Sequence, residues 1–340
     1  MNHKEFKEFL QYVDKKITPP MKNLLSSGVS KVNHELVQYQ VLTGGKRLRP
    51  ALAVASCLML GGKIKDIVYP AASIEVLHNF TLIIDDIVDH SILRRKKPTC
   101  WYKFGKSIAQ VASIDYGAAV FQEARRWKKS GELCFVLAAA MKTIVDGEIL
   151  DILFEQTERR DEPFIKKNRY RKIKEKDYLD MISKKTASLI ETSCVVGGMV
   201  AGAGNSQLKY LREYGFNLGI AFQIRDDVLD IFGKQNVFGK EIGKDIKERK
   251  IGNIVILLAL TELSSSDRKR FLSILKKGNI TRYDIKNAIS FVLKTKSREK
   301  ACEMAGKYIK KAKENLAKLP NNKWNGVLKY ITDFVDKREK

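Results

Sequence analysis

A chain of 340 residues that is 44% hydrophobic and holds only 7 prolines can bury a full core, and no long Gly/Ser linker divides it, so one domain over 1–340 is expected. A net charge of +24 suits a nucleic acid, an anionic membrane or phosphorylated ligands, but there is no aromatic-glycine RNA signature and no zinc-finger spacing, which leaves nucleic acid out. Five widely spaced cysteines, Cys57, Cys100, Cys134, Cys194 and Cys302, argue against a disulfide framework; with no apolar leader at 1–7 and no uncharged apolar stretch of about 18 residues, a cytoplasmic protein without a transmembrane helix is expected.

Residues 1 to about 40 read as two amphipathic helices broken near Thr18-Pro19-Pro20. Gly44-Gly45-Lys46-Arg47-Leu48-Arg49-Pro50 follows, a cationic corner whose glycines permit a tight turn before the helix 51–60. Such a corner suits phosphate, though ordinary loops share it. Gly61-Gly62 ends that helix and Pro70 starts the next, which carries Ile74, Leu77, His78, Leu82 and Asp85 at helical spacing. Arg94-Arg95-Lys96-Lys97 then precede Pro98. Long helices are expected over 108–127 and 133–154, separated at Ser130-Gly131, then a charged connection over 155–176. A helix over 177–199 contains Lys184-Lys185-Thr186-Ala187, and another covers 210–232. A polar loop holds Lys240, Gly243, Lys244, Asp245 and Lys250; a helix resumes over 254–263, and three or four charged amphipathic helices fill 266–340. No convincing period-2 run appears. The class is all-α, a single large helical bundle with its function in a central cavity.

Two stretches carry the chemistry. Asp85-Asp86-Ile87-Val88-Asp89 and Asp226-Asp227-Val228-Leu229-Asp230 repeat one spacing. On a helix four residues advance about 6 Å and leave side chains roughly 40° apart, so Asp85 shares a face with Asp89, and Asp226 with Asp230. Carboxylates without His or Cys neighbours suit a hard cation, Mg²⁺ or Mn²⁺, which takes one or two carboxylates plus substrate phosphates. A solvated helix face is the plainer reading of one such cluster; two copies beside basic residues favour a diphosphate clamp in which the clusters face each other. His78 stands two turns before Asp85 on nearly the same face.

GGKRLRP at 44–50, DDIVDHSILRRKKPT at 85–99, KTA at 185–187, FQIRDDVLD at 222–230 and GKEIGKDIKERK at 239–250, in that order, resemble the trans-isoprenyl diphosphate synthase (polyprenyl synthetase) family. The resemblance implies an isoprenoid-synthase helical fold, usually homodimeric, and a trans head-to-tail condensation of isopentenyl diphosphate with an allylic diphosphate. It implies that Lys46, Arg49, His78 and Arg95 hold isopentenyl diphosphate. It implies that Asp85, Asp89 and Asp226 bind about three Mg²⁺, supported by Asp86, Asp227 and Asp230. Arg94, Lys185, Thr186, Gln223, Lys240 and Lys250 match the groups around the allylic diphosphate, with Lys185, Gln223 and Lys240 as catalytic positions. Bulky Phe80 and small Thr81, just before the first cluster, resemble the archaeal type of geranylgeranyl diphosphate synthase, implying a C20 product.

The chain departs from the family pattern at Glu148 (usually Gln), Ile114 (usually Gly), Gly252 (commonly Thr) and Ile254 (commonly Pro). Farnesyl or longer-chain synthesis stays open, as does a non-catalytic partner subunit, although such subunits lose aspartates that this chain keeps. A class I terpene cyclase would carry a distinct metal motif in place of the second cluster. The basic surface reads first as solvated lysine; weak peripheral contact with anionic lipid is the lesser reading.

Overall fold

The computed structural model describes residues 1–122, 130–156, 159, 161–233 and 242–337. It is built from helices, in keeping with the all-α expectation. In chain order they are α1 (His3–Ser26), α2 (His34–Leu42), α3 (Leu48–Met59), α4 (Ile64–Val88), α5 (Cys100–Phe104), α6 (Lys106–Gln122), α7 (Ser130–Phe154), α8 (Pro163–Asn168), α9 (Glu175–Ile182), α10 (Ser188–Val200) and α11 (Asn205–Phe232). After these come α12 (Lys244–Lys247), α13 (Ile254–Glu262), α14 (Ser265–Leu275), α15 (Arg282–Val292), α16 (Ser297–Leu316) and α17 (Lys323–Asp336). A five-residue π-turn, Ser183–Ala187, joins α9 to α10.

Residue contacts divide the chain into two compact units. The first holds Met1–Lys142, Leu189–Gly215 and Lys313–Ile331. Its α1 buries Phe6, Phe9, Val13, Ile17, Met21, Leu24 and Leu25, one helical stripe. An Asn2–Glu5 capping box starts α1 and contributes about 1 kcal/mol. The second unit holds Thr143–Ser188, Phe216–Ala312 and Thr332–Lys340. Its core runs from Phe154, Tyr178 and Met181 through Ile220, Ile224 and Val228 to Phe271, Phe291 and Ala305.

Several boundaries differ from the sequence reading, for local reasons. The break expected at Pro19-Pro20 is absent: α1 runs through both prolines. The carbonyls deprived of a donor belong to Lys15 and Lys16, which are exposed, while Ile17, Pro20 and Met21 pack inward. The chain turns instead after Ser27, at Gly28, whose φ is +79°. Pro70 does not start α4 but sits inside it; the carbonyl it leaves is that of exposed Asp66, in the first turn. One tiny antiparallel hairpin, Leu93-Arg94 against Lys97-Pro98, was not foreseen. By length and composition α4 could cross a membrane, but its apolar window carries charge, as the sequence reading noted, and two-thirds of that window is buried in the protein, as in a core helix. None of the five cysteines forms a disulfide, and burial pushes the Cys57 thiol up to about 12.

Candidate active site

In the first unit the cationic corner is tied to α4. Arg49 donates from Nη1 to Nε2 of His78 at 3.2 Å. Arginine has no acceptor, so that ring nitrogen carries the lone pair and the proton sits on Nδ1. Burial first, then the charges of Arg49, Arg95, Arg94 and Arg47, hold the His78 pKa well below the usual histidine value. A neutral imidazole among arginines marks a pocket short of negative charge. Gly45 helps build it: with φ at +148° it lies so near the Arg95 guanidinium that an added Cβ would meet Nη1 at 2.9 Å. Lys46 is exposed beside it. Arg49, His78 and Arg95, three of the four residues assigned to one diphosphate, are therefore drawn together, with Lys46 at their edge.

The first aspartate cluster divides by role. Asp86 is buried, and both its oxygens accept from Arg94 Nε, at 2.8 and 2.9 Å. Asp85 and Asp89 stay half-buried on the other side of the same helical turn. Arg94 is thus bound to Asp86, whereas the resemblance assigned it to the allylic diphosphate. Thr81 turns its hydroxyl to the His78 carbonyl at 2.8 Å. Phe80 is half-buried; a Cβ added to Gly117 of α6 would stand 4.0 Å from its ring and 3.3 Å from Met141 Cε.

In the second unit the π-turn places two assigned residues. Lys185 reaches Glu148 at 2.6 Å and Asp151 at 2.8 Å; Thr186 donates to Gln223 Oε1 at 2.8 Å. The wide turn is seated between glycines: Gly147 lies against the backbone of Lys185, and Gly219 against Ala187. Lys250 reaches the same Asp151 at 3.1 Å and Glu248 at 3.3 Å. Burial opposes ionisation of Asp151, but the two lysines outweigh it and keep its pKa below the usual carboxylate range.

The second aspartate cluster divides as the first does. Asp227 accepts from Tyr178 Oη (2.8 Å), Gln223 Nε2 (2.8 Å) and the Ile254 amide (2.9 Å). Asp230 accepts from the amides of Lys244 and Asp245, capping α12. Asp226 is half-buried. Burial, then the nearby Asp245, pushes the pKa values of Asp227 and Asp230 well above the usual range. Such crowding of carboxylates asks for cationic charge. Asn253 braces the group: it caps α13 and donates to Asp245 at 2.8 Å. Lys240 lies outside the described residues.

Each cluster offers carboxylate oxygens only, a donor chemistry that fits a hard divalent ion; Asp86 in the first cluster, and Asp227 and Asp230 in the second, are engaged by protein donors. Among the described residues no three His, Cys, Asp or Glu side chains form a ready metal cage.

Tyr178, Asn253, Glu75 and Arg47 went unassigned in the sequence. Only Arg47 carried a signal, as the third cation in the corner.

Comparison with known proteins agrees. The family profile described as Polyprenyl synthetase matches residues 30–292. The chain is similar to a geranylgeranyl diphosphate synthase of Saccharolobus solfataricus, 34% identical over 328 residues and 94% of each chain. It is also similar to a geranylfarnesyl diphosphate synthase of Aeropyrum pernix, 32% identical over 311 residues, covering 88% of this chain and 92% of that one. A polyprenyl synthase from Caulobacter crescentus, solved with calcium and isoprenyl diphosphate, superposes with a TM-score of 0.84 at 27% identity, covering 98% of this chain and 97% of that one. With its family profile, its relatives along nearly the whole length and its helical architecture in accord, this chain belongs to the polyprenyl synthetase family.

Proposed function

We propose that the protein joins isopentenyl diphosphate to an allylic diphosphate in trans head-to-tail fashion and makes geranylgeranyl diphosphate, C20. One observation carries this reading. A single helix, α4, bears His78 within a cationic pocket and, two turns on, the Asp85 and Asp89 pair suited to a metal. These are two separate chemistries for diphosphate, and a condensation needs both, because it binds two diphosphates. A class I cyclase has no use for the cationic pocket, and a non-catalytic subunit loses aspartates that this chain keeps.

In this reading Asp85, Asp89 and Asp226 would hold Mg²⁺, about three ions, which when bound would supply positive charge for the leaving diphosphate. Arg94, Lys185, Thr186, Gln223, Lys240 and Lys250 surround that diphosphate and stabilise its charge, so the allylic C–O bond breaks and its electron pair leaves with the diphosphate. Lys46, Arg49, His78 and Arg95 hold isopentenyl diphosphate, whose double bond attacks the allylic cation and forms the new C–C bond. The proton then lost passes to the released diphosphate. Phe80, beside Gly117, closes the pocket for the growing chain, with the small Thr81 next to it.

Residues 1–340 work as one domain, a reading supported by a family profile that runs through both compact units. The working form is a homodimer in the cytoplasm. One face of α6 supports the pairing: Ile108, Val111 and Ile114 are exposed at 45, 66 and 71%. Incubation of the purified protein with labelled isopentenyl diphosphate, Mg²⁺ and C5, C10 or C15 primers tests the reaction. A dominant C20 product is expected; a folded dimer that elongates no primer would overturn the assignment.

A further inference from the structure

The cationic corner is held by a residue that does not itself face the substrates. Arg47 is 5% exposed and adopts a left-handed backbone, φ +50° and ψ +33°, at the position just before α3. An L side chain in that conformation is strained. Its guanidinium secures it with three bonds to three different elements. Nε donates to Asp14 of α1 at 2.7 Å, Nη1 to Glu75 of α4 at 2.8 Å, and Nη2 to the Val41 carbonyl of α2 at 2.7 Å. Glu75 is 2% exposed, and Asn79 donates to its Oε1 at 3.3 Å. It stands one turn before His78 on α4.

We infer that Arg47 is a positioning residue for isopentenyl diphosphate: its triple anchor fixes the left-handed step that sends Lys46 to one side and Arg49 back to His78. The backbone alternates here in a way that separates the three cations by job. Arg47 turns inward and is consumed by protein acceptors, while Lys46 stays exposed and Arg49 half-buried. Glu75 does a second thing. It supplies the buried negative charge behind a cluster of Arg47, Arg49 and Arg95, so these arginines can be packed together before any diphosphate arrives. Lysine at 47 cannot do the same work, since one ammonium cannot span three acceptors arranged around a planar fork.

This inference rests on the prenyltransferase reading, and the test separates the two. Steady-state kinetics would be run on Arg47→Met, Arg47→Lys and Asp14→Asn with each substrate varied in turn. Arg47→Met is expected to raise KM for isopentenyl diphosphate at least ten-fold while changing KM for the allylic primer less than three-fold. Arg47→Lys should recover only part of the loss. Asp14→Asn, which weakens one half-exposed anchor, should shift the same KM by two- to five-fold in a protein that folds normally, and so serves if Arg47→Met does not fold. An equal change in both KM values, or none in a folded variant, would overturn the positioning role. Wild-type protein that elongates no primer would instead overturn the function on which it depends.

Discussion

Gly147 of α7 lies directly against the backbone of Lys185, with no room for a Cβ between them. Because Lys185 sits in a π-turn, the contact fixes both a rare backbone form and the direction of an assigned catalytic lysine. Gly147→Ala must push the two backbones apart. The expected cost is about 1–3 kcal/mol of stability, seen as a lower denaturation midpoint. A roughly ten-fold or greater fall in kcat should accompany it, because Lys185 and Thr186 leave their places together. A variant with wild-type kcat would show that the π-turn does not matter to turnover.

Glu148 binds Lys185 at 2.6 Å, so in the proposed function it competes with the allylic diphosphate for the lysine. The family usually has Gln at this position. Glu148→Gln removes the competing charge yet leaves Asp151 to orient the lysine. KM for the allylic substrate should fall about three- to ten-fold, the scale of one weakened charge-assisted bond. Unchanged KM with every primer would mean that Lys185 does not meet that diphosphate.

Asp85 and Asp86 are neighbours with opposite consequences. Asp86→Asn breaks a buried pair with Arg94 and should cost about 3–5 kcal/mol of stability. Asp85→Asn touches a half-buried carboxylate and should leave the melting temperature nearly unchanged. It should instead lower kcat by roughly 10²–10³, with a raised Mg²⁺ requirement. Thermal melts and Mg²⁺ titrations of both variants separate the roles; similar behaviour of the two would erase the distinction.

These contrasts show what the sequence carried and what it did not. Repeated Asp-Asp-x-x-Asp spacing was visible along the chain, and helical periodicity then put Asp85 and Asp89 on one face. The division of labour within each cluster was not visible. It depends on Arg94, Tyr178 and the Ile254 amide, which lie 8, 49 and 27 residues away from their aspartates. The prolines misled because their cost depends on where the orphaned carbonyl lies, and in α1 and α4 it belongs to an exposed residue. The π-turn at 183–187 left no mark in its own residues; the signal, Gly147 and Gly219, lies on other helices.

Phe80 tests product length. Its ring lies beside Gly117, which has no side chain, so Phe80→Ala opens space there. Longer products, C25 and above, should appear at the expense of C20 in chain-length analysis. An unchanged C20 product would remove Phe80 as the end wall and leave it a packing residue.

His78 gives the pocket a pH dependence whose sign follows from its neighbours. Its pKa is far below the usual histidine value in the folded protein, by burial and then by Arg49 and Arg95, and returns to about 6.5 on unfolding. Above about pH 6.5 both states hold a neutral ring and the group contributes no slope. As pH falls below that value the unfolded chain takes up a proton that the folded chain refuses. Stability should then drop by up to about 1.4 kcal/mol per pH unit from this group alone. His78→Gln keeps an acceptor for Arg49 without the titration. The difference in unfolding free energy between wild type and His78→Gln, measured by denaturant titration from pH 7.5 to 5, should therefore change steadily below pH 6.5 and stay flat above it. A difference that is constant over the whole range would mean that His78 charges in the folded pocket as easily as in water, and the arginines around it would then be too far away to form an anion site.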